Sequence, residues 1–348
     1  LDQPPLNVFK NGEKPPEGLL GKVESQFKLT FPLLKKLDLD EVVIDANARL
    51  TNGRAKGLVG GYDIQGATIN FDVTHETLTA KGNMLVGGVP ADVSWQNIFA
   101  ADIDQQPPMK LTATLDNSDR KLLGLDVADV VSGDVPVTLT VKRGRGIEKK
   151  LKLRADLSGA EMKIPGVGWR KRRGRACVIE TDIGQGSDKR TELQNFTIRG
   201  DKIAVEGWVA LEEDNSFSEF FFPIVTLDVV TQLKAQGRKR NDGIWKVDVE
   251  GPTFNGQGFF SSLFSLGKAT ERNSRTAKKD NRSGVDLVAN INTIIGFSDQ
   301  TLRGLKVRMS RRGGRLTALD ARGTSVSYTH LTLPTTLCMC RSRWSPGR

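Results

Sequence analysis

The sequence predicts an all-β fold, with a large, mainly antiparallel sheet and one or two short helices. Three observations support this prediction. Apolar and polar residues alternate in run after run, so that Val135, Val137, Leu139 and Val141 share one parity. Strands recur at a spacing of roughly ten residues, which is typical of all-β proteins. The chain also contains 36 glycines, which suit the many turns that such a fold needs.

The alternation has a direct structural meaning. Successive side chains of a strand point to opposite faces of the sheet, so each alternating run has one apolar and one polar face. A second clear run places Leu151, Leu153, Ala155 and Leu157 on one parity. Many such strands side by side make a sheet with a continuous apolar face, and that face must be covered by something.

The chain divides into four predicted segments. Residues 1–40 form a Pro-rich, irregular opening segment, because Pro4, Pro5, Pro15 and Pro16 interrupt regular elements. Residues 41–105 form a β-rich repeat region in which the alternation begins. Residues 106–323 form a second, longer β region, and residues 324–348 form a tail.

Two interruptions of the β pattern predict short helices. In residues 117–131, Ser118 or Asp119 can cap a helix that carries Leu122, Leu123 and Leu125. We expect this helix to plug one end of the sheet. Residues 261–266 predict a second short helix.

The C-terminal tail differs in character from the rest of the chain. Residues 326–348 contain two of the three cysteines and no acidic residue. The stretch Val326–Thr336 resembles a translated sequencing adapter, and a natural disordered terminus is the alternative interpretation. We exclude the tail from fold reasoning in either case.

Charge and hydropathy bound the partners of the chain. The net charge is +10, which favours anionic partners such as phospholipid headgroups or nucleic acid. No run approaches the roughly 20 apolar residues that span a bilayer. The chain begins at Leu1, so we expect a fragment of a longer protein whose membrane anchor lies outside this sequence.

The sequence offers few catalytic groups. His75 stands beside Glu76 in a turn-like segment, and the chain lacks a G-x-S-x-G elbow, a phosphate-binding loop and an H-E-x-x-H motif. Glu212 and Glu213 fall near a strand end, where a solvated turn is the simpler interpretation. We therefore expect no enzymatic activity, although a glycosidase with two distant carboxylates stays open.

The cysteines do not predict a metal site. Cys338 and Cys340 are spaced C-x-C near His330, but a fourth ligand for zinc is missing. Three cysteines also make no disulfide framework. We expect neither a metal nor another cofactor.

The densest basic run is a candidate for contact with anions. It contains Arg170, Lys171, Arg172 and Arg173, and Trp169 is its only aromatic neighbour. Binding to single-stranded nucleic acid normally needs several aromatic platforms, so nucleic acid is not an expected partner. The run predicts either a solvated loop or a contact with anionic lipid headgroups.

Several motifs resemble the AsmA-like family, in the branch that contains YhdP. The central one is Ala160-x-x-x-Ile164-Pro165-x-x-Gly168-Trp169-x-Lys171-x-x-Gly174-x-Ala176. The resemblance covers roughly residues 42–323. Its other motifs are Leu123-Gly124-Leu125-Asp126, Val131-x-Gly133-x-Val135-Pro136-Val137, Leu193-x-Asn195-Phe196, Ile203-x-Val205-x-Gly207 and Trp245-x-Val247-x-Val249-x-Gly251-Pro252. The extra arginines Arg170, Arg172 and Arg173 depart from the family pattern without changing the strand spacing.

The resemblance implies a cellular role and a shape for the sheet. Members of the family are envelope proteins of Gram-negative bacteria, with an inner-membrane helix and a periplasmic body. That body is a long, curled β-sheet with a hydrophobic groove, and members are implicated in moving phospholipids towards the outer membrane. For this chain the resemblance implies a periplasmic segment, anchored to the inner membrane by a segment outside the chain, with phospholipids and possible envelope proteins as partners.

The sheet physics and the resemblance together predict which residues face the groove. Two short helices are too little to cover about a dozen strands, which leaves a sandwich, a closed barrel or an open groove filled by something apolar. The candidate lipid-binding residues are Ile44, Ile69, Phe71, Val137, Leu139, Leu153, Val205, Val209, Leu227, Val247 and Leu287. Each of them could instead be an ordinary core residue.

Two rival functions stay open at this stage. The first is a structural or assembly factor for outer-membrane proteins, which would use the sheet edge to engage nascent strands. The second, less favoured, is an enzyme that acts on envelope polysaccharide.

Overall fold

The computed structural model describes residues 18–30, 43–143, 149–164, 167–186, 188, 190–261, 284–296, 300–313, 315–325 and 330–332. It confirms the predicted fold class, an all-β chain with a large, mainly antiparallel sheet and few short helices. The strands in chain order are β1 (Leu20–Thr30), β2 (Val43–Val59), β3 (Tyr62–Val73), β4 (Thr77–Val86), β5 (Val89–Ile98), β6 (Met109–Leu115), β7 (Val131–Ser132), β8 (Val135–Arg143), β9 (Lys149–Asp156), β10 (Glu161–Ile164), β11 (Trp169–Lys171), β12 (Cys177–Gln185), β13 (Thr191–Gly200), β14 (Ile203–Leu211), β15 (Phe217–Thr226), β16 (Gln232–Lys239), β17 (Ile244–Asn255), β18 (Gly284–Ile295), β19 (Thr301–Arg312), β20 (Arg315–Ser325) and β21 (His330–Thr332).

Helices are short and few in the described part of the chain. Helix α1 covers Asn117–Leu122, and a 3-10 turn covers Ile103–Gln105. Residues 257–261 are also helical, while the remainder of the predicted helix over residues 261–266 lies outside the described residues. None of the described helices is long and apolar enough to cross a membrane.

The chain forms two compact units. Unit 1 comprises Leu1–Glu161, Arg172–Asn195 and Glu213–Ser216, and unit 2 comprises Met162–Lys171, Phe196–Glu212 and Phe217–Arg348. The predicted boundary at residue 105 lies inside unit 1. Strand β13 is divided between the two units at Asn195.

The strands of unit 1 pair in a simple antiparallel meander. The order is β1, β2, β3, β4, β5, β6, β8, β9 and β12, and every neighbouring pair is antiparallel. Meanders of this kind follow from short hairpin connections between alternating strands. The apolar core of the unit lies on one face of β2–β6, around Ile64, Met84, Val93 and Leu111.

Strand β1 corrects the prediction that residues 1–40 are irregular. Residues Leu20–Thr30 pair with β2 over almost their whole length. The period-two signal was present, because Val23, Phe27 and Leu29 share one parity and polar residues occupy the other. The prolines that dominated the prediction end at Pro16, before the strand begins.

The strands of unit 2 differ from this meander at one pair. Strands β14 to β17 and β18 to β20 pair with their sequence neighbours in antiparallel fashion, whereas β17 and β18 run parallel. The short β21 pairs with β20. Ile291, Ile294, Leu305 and Val307 centre the apolar core of this unit.

The cap of helix α1 differs from the prediction. Asp116, rather than Ser118 or Asp119, caps the helix, and its carboxylate accepts a hydrogen bond from the Asp119 amide at 2.8 Å. The Asp119 carboxylate in turn accepts a hydrogen bond from the Asp116 amide at 3.0 Å. The two form a capping box, which satisfies two amides that the first turn would otherwise leave unpaired.

The residues that follow α1 are bound to the start of β3. The Tyr62 hydroxyl donates to the Leu123 carbonyl at 2.5 Å and also accepts from the Asn215 side-chain amide at 2.9 Å. Burial of this hydroxyl raises the pKa of Tyr62. Tyr62 begins β3, so these bonds hold the segment after α1 against the β2–β3 turn.

Candidate functional site

One face of the unit 1 sheet carries apolar side chains that are aligned across the strands. Residues that are Cα partners in neighbouring strands lie on the same face of a sheet. One continuous row crosses the sheet from β1 to β12 through Val23, Leu50, Ile69, Gly82, Val93, Leu111, Leu139, Leu153 and Thr181. We call the face that bears this row the apolar face of unit 1.

Further apolar rows flank the first one on the same face. They run through Ala48, Phe71, Ala80 and Trp95, through Ala113, Val137, Ala155 and Ile179, and through Met109, Val141, Leu151 and Ile183. The predicted groove residues Ile69, Phe71, Val137, Leu139 and Leu153 therefore share one surface. All five are only partly buried, whereas Val93 and Leu111 of the first row are buried in the core of the unit.

The opposite face of the same strands is polar and charged. Thr138 of β8 pairs with Arg154 of β9, which pairs with Glu180 of β12. The Arg154 guanidinium donates to the Glu180 carboxylate at 2.5 Å, and the Lys152 ammonium lies 3.7 Å from the other carboxylate oxygen. The period-two pattern therefore separates an apolar face from a solvated one, as the sequence predicted.

Unit 2 has an apolar face built in the same way. Its main row crosses the strands through Val209, Phe220, Gly237, Val247, Leu287, Met309 and Leu319. Val205 lies on this face too, because it pairs with Val225, which pairs with Leu233. Val205 and Val209 are buried, while Val247 and Leu287 are partly exposed.

Aromatic rings form a connected group on the apolar face of unit 2. The ring of Phe222 lies 5.6 Å from that of Phe196 and 5.1 Å from that of Phe220, and Phe220 lies 5.7 Å from Trp245. The Phe220 ring also covers Gly237, where a Cβ atom would come within 2.4 Å of it. The sequence analysis missed this group, although Phe220 and Phe222 share one parity.

One of the predicted groove residues, Leu227, does not lie on a strand. Leu227 follows the end of β15 and precedes a bend at residues 228–230, and its carbonyl accepts a hydrogen bond from the Trp169 indole at 2.7 Å. The bend is set by Asp228, whose carboxylate accepts from the amides of Val230 and Thr231 at 2.8 and 2.6 Å. The prediction that Leu227 belongs to an alternating strand is therefore wrong. The side chain of Ile44 lies outside the described residues.

The central motif of the family resemblance forms the β10–β11 hairpin. Ile164 pairs with Trp169 across the hairpin, and the turn between them contains Gly168. Gly168 has a φ of +76° and approaches Gly258 so closely that a Cβ atom on Gly168 would lie 2.3 Å from the Gly258 carbonyl carbon. Val167 packs against the apolar core of unit 2. The hairpin thus packs against unit 2 through a contact of two glycines that leaves no room for a Cβ atom.

The basic run beside this hairpin is not uniformly exposed. Lys171 is only 2% exposed, whereas Arg170, Arg172 and Arg173 are exposed. Because the Lys171 side chain is buried, the prediction of a headgroup contact now depends on the three arginines.

One depression of unit 2 lies between polar and apolar residues of neighbouring strands. It has a volume of about 620 Å³ and is lined by residues that include Lys234, Glu250 and Asn290. These three residues are register partners in one polar row. The depression lies beside the register shifts of β15 and β16, where bulges disturb the regular ladder.

Groups for catalysis or metal binding are not brought together in the described part of the chain. No group of three or more His, Cys, Asp or Glu side chains there could hold a metal ion. The His75 imidazole lies 3.5 Å from the Glu76 carboxylate on an exposed turn. Glu212 and Glu213 are likewise exposed, in the turn after β14.

Comparisons with known proteins do not assign the chain to a family. No family model matches the sequence, and neither the curated proteins nor the solved structures contain a significant match.

Proposed function

We propose that this chain is a non-enzymatic segment that shields and conducts phospholipid acyl chains on its apolar faces. The observation that carries the proposal is the register of the unit 1 strands. It aligns Ile69, Leu139 and Leu153 in one row that crosses the sheet, yet leaves these side chains partly exposed. An apolar surface of this extent on a soluble sheet normally has an apolar occupant.

An acyl chain is a suitable occupant on energetic grounds. Each CH₂ group removed from water contributes about 0.8 kcal/mol. A chain of about 16 carbons thus gains on the order of 10 kcal/mol before the cost of ordering it. Because successive rows offer similar aliphatic surface, neighbouring positions have similar energies, and a lipid can move between them at little cost.

The resemblance to the AsmA-like family supplies the cellular context of the proposal. In that context the chain would act in the periplasm of a Gram-negative bacterium, between the inner and outer membranes, with its anchor in a segment outside this sequence. The basic residues Arg170, Arg172 and Arg173 would contact anionic headgroups, since all three are exposed.

Native mass spectrometry of the protein, purified from cells without detergent, tests the proposal directly. We expect mass additions that correspond to one or more phospholipids and that extraction with organic solvent removes. Thin-layer chromatography of the extract then identifies the lipid class. Protein that is folded by circular dichroism, but repeatedly free of lipid and unable to take up a fluorescent phospholipid from vesicles, would contradict a conduit role.

A further inference from the structure

Unit 2 carries a pair of aromatic side chains on the face opposite its apolar face. Trp208 and Phe221 are register partners on β14 and β15, and they alternate with Val209 and Phe220 of the apolar face. Their ring centroids lie 6.4 Å apart, and both side chains are only half-buried. Ile224, further along β15, is 44% exposed. These residues form a small apolar platform, which the need for an apolar core does not explain.

The depression of about 620 Å³ in unit 2 lies next to this platform. Ile224 lines it, and so does Lys234, whose ammonium lies 5.4 Å from the centre of the Phe221 ring. The volume is in the range of pockets that bind small molecules. Pro223 of β15 and Pro252 of β17 also line it, on either side of β16, and neither has an amide hydrogen for the ladder. Interruptions of a sheet are common beside binding sites.

The polar side chains that line the depression are not committed to partners within the chain. They comprise one carboxylate, one ammonium group and three amides, on Glu250, Lys234, Gln232, Asn290 and Asn292. Among the residues that the structure describes, none of these five side chains has a hydrogen-bond or ion-pair partner. By contrast, Arg238 on the same strand as Lys234 pairs with Glu219 at 2.7 Å. The hydrogen-bonding groups of the depression are therefore available to a ligand.

We propose that this depression and the adjoining aromatic pair bind a saccharide. Glu250 would repel an anion and Lys234 would repel a cation. An acyl chain would take water from all the polar groups without replacing its hydrogen bonds. Sugar hydroxyls both donate and accept, so they suit the carboxylate, the ammonium group and the amides alike. The C–H face of a sugar ring is apolar and can pack on the rings of Trp208 and Phe221.

Two sources can supply such a ligand, a soluble glycan and the sugar headgroup of a glycolipid. Both present the same hydroxyl groups and the same apolar ring face. The saccharide site does not depend on whether the apolar faces bind acyl chains, because its polar row Lys234, Glu250 and Asn290 alternates with residues of the apolar face.

Binding of neutral sugars by the whole chain tests the proposal. The soluble probes are cellotetraose, maltotetraose and chitotetraose, measured by isothermal titration calorimetry. The membrane probe is a phosphatidylcholine vesicle with or without digalactosyldiacylglycerol, measured by co-sedimentation. Binding of a tetrasaccharide identifies a glycan as the source, and binding only to the vesicles that contain the glycolipid identifies a headgroup. Folded protein that binds none of these probes would overturn the proposal.

The signs of two charge-neutralising substitutions distinguish a saccharide from an ion. Glu250→Gln and Lys234→Gln should each weaken sugar binding roughly tenfold, because each removes a charged hydrogen-bonding partner. For an anion such as inorganic phosphate, Glu250→Gln would strengthen binding and Lys234→Gln would weaken it, and a cation would show the reverse. Opposite effects of the two substitutions on the bound probe would therefore refute a saccharide site. Both residues are exposed, so the unfolding midpoint should stay close to that of the wild type.

A matched pair of asparagine substitutions tests the location of the site. Asn290→Ala should weaken sugar binding roughly fivefold, since it removes hydrogen bonds between neutral groups. Asn83→Ala removes the same amide from an exposed position of β4 in unit 1 and should leave binding unchanged. Phe221→Leu keeps an apolar side chain but removes the ring, and should weaken binding several-fold. Equal affinities of the Asn290→Ala and Asn83→Ala variants would show that the sugar does not bind in the depression.

Discussion

Leu139 and Leu153 lie directly opposite each other on β8 and β9, on the apolar face of unit 1. The neighbouring pair, Thr138 and Arg154, lies on the opposite face of the same two strands. Both pairs occupy the middle of their strands and the same register, so they differ in the face they occupy rather than in their distance from the strand ends. Substitutions at the neighbouring positions 138 and 139 can therefore distinguish an effect on lipid binding from an effect on folding.

Leu139→Asp should lower the phospholipid content of the purified protein several-fold. The carboxylate would lie among Leu111, Leu153 and Val137 on the apolar face, where an acyl chain in contact with it would desolvate a charge. Lipid content is measured by native mass spectrometry and by phosphate analysis of the extract. Leu153→Asp should have the same effect.

Thr138→Asp is the matched control for the preceding variant. Its carboxylate would lie on the solvated face, beside Arg154, and should leave both lipid content and the thermal unfolding midpoint close to those of the wild type. Equal loss of lipid in Leu139→Asp and Thr138→Asp, together with a lower unfolding midpoint in both, would indicate unfolding instead of a blocked apolar face.

Much of the fold could be predicted from local pattern, because the alternation of side chains is a property of single strands. The runs at Val135–Val141 and Leu151–Leu157 were read in the correct register with respect to the apolar face. The shared parity of Leu227, Val229 and Leu233 predicts a strand, whereas the bend at Asp228 depends on hydrogen bonds that its carboxylate accepts from two backbone amides. Local alternation cannot reveal such a bend.

Contacts between distant segments were beyond the sequence analysis. A basic residue on a short helix normally indicates a solvated surface, so nothing marked Arg120 as buried. The approach of Gly168 to Gly258 joins residues that are far apart in the chain, and only the pairing of unit 2 brings them together. The motif around Gly168 was visible in the sequence, but the reason for its glycine was not.

Arg120→Met should destabilise unit 1 by about 3 kcal/mol. The Arg120 side chain is only 5% exposed, and its guanidinium donates to the carbonyls of Leu115 at 2.7 Å, Gly133 at 3.0 Å and Val131 at 3.3 Å. Each buried carbonyl left without a donor costs about 1–3 kcal/mol, and the apolar side chain recovers part of this by packing. Urea denaturation measures the change.

The exposed neighbour Lys121 provides the comparison for Arg120. Lys121→Met changes the same helix in charge and shape, but should alter the unfolding free energy by less than about 0.5 kcal/mol. A similar, small effect of both substitutions would show that the Arg120 bonds to the three carbonyls contribute little to stability.

Asp286 should make unit 2 sensitive to acid. It is the third residue of β18 in the parallel pair β17–β18, and its carboxylate lies 2.7 Å from the guanidinium of Arg312 and 3.7 Å from that of Arg240. The hydrogen bond from Arg312 lowers the pKa of Asp286 below its ordinary value of 3.8, against the opposing effect of desolvation.

The sign of the pH dependence follows from this lowered pKa. The native state holds the charged carboxylate more tightly than the unfolded state, so the stabilisation is fully present above about pH 5 and is lost as the pH falls through the native pKa. Asp286→Asn should lower the unfolding free energy at neutral pH. The difference in unfolding free energy between this variant and the wild type should become smaller below about pH 3.8. Arg312→Gln should reduce the same acid dependence, and a wild-type acid profile in both variants would contradict the assignment.

Gly168→Ala should open the β10–β11 hairpin, whereas Gly174→Ala should not. Both glycines have a positive φ, +76° and +82°, so both substitutions incur the cost of about 1 kcal/mol that a Cβ atom brings in that region. A Cβ atom on Gly174 meets nothing within 4 Å, but on Gly168 it would lie 2.3 Å from the Gly258 backbone, which has no flexible side chain to move aside. Gly168→Ala should therefore cost about 3 kcal/mol or more, as a forced separation of packed backbone does.

Hydrogen exchange of the hairpin amides and of the Trp169 indole proton, which binds the Leu227 carbonyl, measures this opening locally. Equal protection of these protons in the two variants would mean that positive φ alone, and not the contact with Gly258, determines the glycine at position 168.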